Sequence, residues 1–116
     1  MDDRIKDLIA KLTMKTADSS LDWAKTSRDN EFICKIGNTS VTVDRYYYAD
    51  EWDGSDGTII DICILNKQGE QIDRHYSVEN NSNEYSILSA LHSAAHRRYH
   101  KIDDIINGLI SDLDLI

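Results

Sequence analysis

A chain of 116 residues has room for one core, so a single domain over residues 1–116 is expected. Its formal charge of −8 is spread evenly, with 12 acids against 8 bases in residues 1–60 and 9 against 5 in residues 61–116. Such a field repels phosphate backbones and argues against nucleic acid, while suiting a basic protein partner. Met1-Asp2-Asp3-Arg4 opens an amphipathic pattern without a long apolar run, so neither a signal peptide nor a membrane span is expected, and a cytoplasmic location is.

In chain order, Ile5, Leu8, Ile9 and Leu12 recur at i, i+3, i+4 and i+7, which predicts a helix over 3–15 with Asp2 and Asp3 at its favourable end. From Leu21 the period becomes two. Leu21 and Trp23 mark a short first strand, and Phe32, Cys34 and Ile36 a second. Gly37-Asn38 turns the chain into a third strand bearing Val41 and Val43, continuing through Arg45 and Tyr47. Residues 49–57 read as an exposed acidic loop. A fourth strand follows over 58–65, apolar on both phases except at Asp61, and a fifth over 71–78 with Ile72, Tyr76 and Val78 on one phase. Connections this short allow only antiparallel neighbours, hence a five-stranded meander.

The rest is helical. Asn81 with Glu84 three residues on resembles a capping box. One apolar stripe runs from Tyr85 through Leu88, Leu91 and Ala95 to Leu113, but Arg97, Arg98, His100 and Lys101 suit a helix C-terminus, and Asp103 can cap a new helix. Two helices are expected, about 83–99 and 103–114. The fold class is therefore α+β: an N-terminal helix, a five-stranded antiparallel meander, and one or two C-terminal helices packed on one sheet face.

Few residues suggest chemistry. His92 and His96 stand four apart on a helix, as an i, i+4 metal pair would, but they fall at the border of the apolar stripe, where histidine also serves as packing. Arg97, Arg98 and Lys101 form a basic island that could hold an anion or simply complement the helix dipole. Asp50, Glu51, Asp53 and Asp56 miss the EF-hand spacing in both registers. No nucleotide loop, nucleophile elbow or C-x-x-C occurs, so the reading leans away from an enzyme, and no cofactor is expected. Cys34 and Cys63 lie in apolar strands and read as reduced packing residues.

Tyr46, Tyr48 and Trp52 beside Asp50, Glu51 and Asp53 have the composition of a protein-binding patch. The preferred function is thus a non-enzymatic interaction domain of the accessory, immunity or inhibitor type. It would act through that acidic, aromatic surface on a protein partner or another copy of itself. The alternative is a small-ligand or metal-binding domain, conceivably enzymatic, using the helix histidines and the basic island.

The segments Leu21-Asp22-Trp23-Ala24-Lys25-Thr26-Ser27, Glu31-Phe32-Ile33, Val41-Thr42-Val43 and Gly69-Glu70-Gln71-Ile72 are similar to a pattern in a family of small uncharacterised bacterial α+β proteins. The resemblance spans residues 21–114 and continues into a helix of the Leu88…His96-Arg97-Arg98 type. It implies a bacterial or phage origin, a helix break after Tyr99 and no catalytic residue. At the break His100-Lys101 stands where the pattern has a smaller, glycine-containing turn.

Overall fold

The computed structural model describes residues 1–79 and 82–116. Helix α1 (Asp3–Ala17) begins where Asp2 accepts a hydrogen bond from the Ile5 amide (2.9 Å), and it buries Ile9, Leu12 and Thr16. It ends on a left-handed residue, Ser19 (φ 69°). The Ser20 amide reaches back to Lys15 O and the Ser19 amide to Thr16 O, so two carbonyls of the last turn are satisfied. Trp23 then enters the core from a loop. Its indole donates to Thr16 Oγ1 (2.9 Å), which itself donates to Leu12 O. The first strand therefore lies later than Leu21–Trp23 suggests, at β1 (Ala24–Lys25).

Strands β2 (Glu31–Ile36), β3 (Thr39–Ala49), β4 (Asp56–Leu65) and β5 (Gln71–Val78) follow, and the sheet order β1-β2-β3-β4-β5 is the expected antiparallel meander. Gly37, at φ +61°, opens the two-residue β2–β3 loop, a backbone setting that favours glycine. The β3–β4 ladder runs to Ala49 and Asp56, which shortens the acidic loop to residues 50–55.

Pairing fixes two faces. Phe32, Val43 and Ile62 stand in one cross-strand row and Cys34, Val41 and Ile64 in the next. Phe32, Cys34, Val41, Val43, Ile60 and Ile62 make the sheet half of the core, with Ile64 half-buried at its margin. Helix α2 (Ser82–His100) lays Leu88, Leu91 and Ala95 on this face, each fully buried, and α1 packs along α2. Asn81 lies outside the described residues. Ile36, at the edge of this face, stays exposed, and Cys63 points to the opposite face from Cys34, only partly buried. Ile72 and Tyr76 are exposed as well, so the apolar phase of β5 does not join the core.

Lys101 adopts a left-handed conformation (φ 53°, ψ 42°), which separates α2 from α3 (Ile102–Asp114). The break forms there without glycine. Unlike α1 and α2, helix α3 buries no residue, and among the described residues its only substantial contact is with α2. The radius of gyration is 16.2 Å, where a compact domain of this length has about 13 Å, as a helix standing clear of the body would produce. Among the described residues no helix is long and apolar enough to cross a membrane.

Candidate functional site

Alternation along β3 puts Tyr46 and Tyr48 on the face away from α2 and Tyr47 on the helix side. Tyr46 is tied into that outer face: Arg74 donates to its hydroxyl (2.9 Å) and the Arg28 guanidinium lies 5.5 Å from its ring centre. Burial, with the negative charge of Asp61, pushes the Tyr46 hydroxyl above its ordinary range. The Tyr47 ring is 65% exposed and its hydroxyl donates to Asp56 (2.6 Å). In the loop, Asp50 accepts from the Trp52 amide (2.8 Å) and Asp53 from the Ser55 amide (2.8 Å), so two of the acids shape the turn. Hydrogen bonding to Ser55 also holds the Asp53 carboxyl below its usual value. Glu51 is exposed, and Trp52 sits at the tip, 98% exposed.

The basic island is divided by the fold. Arg98 turns inward to Leu21 O (3.3 Å) and Asp22 (2.6 Å), fastening α2 to the segment before β1. Arg97 pairs with Asp103 across the helix break, and Lys101 is the break itself. His92 is 6% exposed, bonded through Nε2 to Asn30 O (2.7 Å), and its ring lies 5.5 Å from that of Phe32. That side chain is part of the core. His96 stacks beside His100 at 4.5 Å and borders Phe32 at 6.0 Å. Among the described residues no group of three or more His, Cys, Asp or Glu side chains could hold a metal ion. Burial pushes the Cys34 and Cys63 thiols up, which makes both poor nucleophiles.

The largest uncovered apolar feature is α3. Ile105, Ile106, Leu109, Ile110 and Leu113 are 44–66% exposed. With the half-buried Ile102 they fill an arc of about 140° at 3.6 residues per turn, the width of a helix face that meets a core rather than a narrow two-helix seam. Asp103 and Asp114 border one edge and Asp112 the other, and residues 102–116 contain no base. The stripe is visible in the sequence, but an apolar period says only that a face wants cover, not whether this domain supplies it. Comparison with models of protein families, with characterised proteins and with solved structures finds no match for the chain.

Proposed function

We propose that this chain is a non-enzymatic protein-interaction domain whose docking element is α3. The supporting observation is a regular amphipathic helix whose aliphatic face leaves Ile105, Ile106, Leu109, Ile110 and Leu113 uncovered by the described residues. A 13-residue helix is marginal alone in water, and Gly108 in its middle weakens it further, so such a face is ordinarily stabilised by packing. Ile102, Ile105 or Ile106, Leu109 and Leu113 fall at the spacing by which a helix seats in a groove. Covering these half-exposed side chains would contribute on the order of 5 kcal/mol.

Charge selects the occupant. The edges of the face are aspartates, and the whole chain carries −8. A second copy paired along α3 would set acids against acids, whereas an apolar groove rimmed by Lys or Arg would match both the face and its border. The acidic loop around Trp52 adds to the same field and would speed encounter with a basic partner. Cys34 and Cys63 lie on opposite faces of the sheet, so they cannot bridge, and two free thiols suit a reducing, cytoplasmic setting. Sedimentation equilibrium of the isolated chain tests the assignment. A monomer up to high concentration is expected. A dimer lost in a Leu109→Ser, Leu113→Ser variant would give the face to a second copy instead.

A further inference from the structure

A cleft of about 610 Å³ opens where α2 crosses the end of β3 and β4, with Ile102 at the start of α3 on its rim. Arg45, Tyr47 and Thr58 line it from the sheet, and Ser93, His96 and Arg97 from α2. We propose that this cleft binds a small organic oxyanion of the phosphate-monoester class, with Arg45 as its principal contact.

Arg45 projects from the helix-facing side of β3, in the row beyond Val43, where the core gives way to solvent. Among the described residues Arg28, Arg74, Arg97 and Arg98 each pair with an aspartate, whereas Arg45, like Arg4 on α1, makes no ion pair or hydrogen bond. In a chain of 21 acids and 13 Lys and Arg residues, Arg45 is an unpaired arginine that lines a cleft. Opposite it on α2 stand His96, Arg97 and His100, with the buried His92 behind them. Of the nearby acids, Asp103 pairs with Arg97 and Asp56 accepts from the Tyr47 hydroxyl at the cleft's edge, while Asp44 lies on the opposite sheet face with Arg28. Desolvation, then the charges of His100, Arg45 and Arg97, hold His96 below its ordinary value, so an anion bound beside the ring would raise it.

The forked guanidinium of Arg45 suits two oxygens of one phosphoryl group, and the Ser93 and Thr58 hydroxyls can supply further donors. The volume lies within the usual range for small-molecule sites and exceeds what a bare anion fills. The exposed Tyr47 ring offers the organic part a flat apolar wall. Nonspecific attraction contributes little, because the net charge of the chain repels an anion.

Phenyl phosphate, inorganic phosphate and neutral benzyl alcohol, each titrated into the full chain, test this by the NMR signals of the His96 ring. Phenyl phosphate should shift them saturably and raise the His96 pKa. Inorganic phosphate should bind more weakly and benzyl alcohol not at all. Arg45→Gln should weaken phenyl phosphate at least tenfold while the amide spectrum stays native. Should that variant lose its fold, His96→Gln, read through the Tyr47 ring, should show a weakened but still anion-selective site. Equal response to benzyl alcohol, or undiminished phenyl phosphate binding in folded Arg45→Gln, would overturn the assignment.

Discussion

Asp44 and Asp61 are direct cross-strand partners on the sheet face that no helix covers, yet they are only 3% and 6% exposed. Like charges placed opposite one another oppose pairing, so each needs its own cation. Arg28 binds Asp44 (2.7 Å), and Arg74 binds Asp61 through Nη2 (3.0 Å) and Nε (3.3 Å). Tyr46 joins the two pairs, its ring beneath Arg28 and its hydroxyl accepting from Arg74. Arg74→Ala should therefore destabilise by about 1–3 kcal/mol in urea denaturation, because it strands a buried carboxylate. Asp61→Asn combined with Arg74→Ala should lose less than the two single losses added together. Strict additivity would show that Asp61 does not depend on Arg74.

Leu91 and Leu109 lie on the same predicted stripe, with Leu91 fully buried and Leu109 57% exposed. Leu91→Ala should cost about 2–5 kcal/mol, as large-to-small core changes do. Leu109→Ala in the isolated chain should stay within about 0.5 kcal/mol of wild type, as surface changes usually do. A loss at Leu109 as large as that at Leu91 would mean that α3 packs on its own domain.

Patterns local in the chain were legible before the fold was known. The α1 stripe with Asp2, the alternation of β2 and β5, and the change of helix near Lys101 all follow from neighbours a few residues apart. Trp23 misleads, since its place in an alternating run hides an indole that leaves the strand to bond Thr16 seven residues back. Asp61 shows as a charge in an apolar strand, but its partner Arg74 is set by strand register, which alternation alone does not fix. Arg45 carries no signal at all: only assembly of β3 against α2 places it beside His96. The apolar face of α3 is plain in the sequence, and its lack of cover is a property of the whole fold.

Among the described residues, two other than glycine hold left-handed backbone, Ser19 (φ 69°) and Lys101 (φ 53°). A side chain in this region strains the backbone, and glycine relieves that strain while losing more freedom on folding. The net gain for Ser19→Gly should be about 0.5 kcal/mol, and Ser19→Val should destabilise by about 1 kcal/mol or more. Thermal melts of the two variants should move in opposite directions. If both fall, the motif closing α1 depends on the serine side chain.

Burial, together with the charges of Arg45 and His96, lowers the His92 pKa despite the hydrogen bond to Asn30 O. The folded protein therefore resists protonation of His92 where the unfolded chain, at about 6.5, accepts it. This contribution is intact above pH 6.5 and lost as pH falls from there through the folded value, so stability should drop from pH 7 toward pH 5. His92→Gln should flatten that slope in urea midpoints taken across the range. Parallel curves for wild type and variant would place the pH dependence elsewhere.

The most direct measurement for α3 is the affinity of a fluorescent amphipathic helical peptide with a leucine face flanked by lysines, compared with a twin flanked by glutamates. The lysine peptide presents the proposed partner chemistry. It should bind the wild-type chain by anisotropy, weaken as salt rises, and lose at least tenfold with Leu109→Ser, Leu113→Ser, a variant expected to keep its urea midpoint. The glutamate twin should not bind. Equal binding of both peptides, or lysine-peptide binding unchanged by the double substitution, would contradict α3 as the docking element.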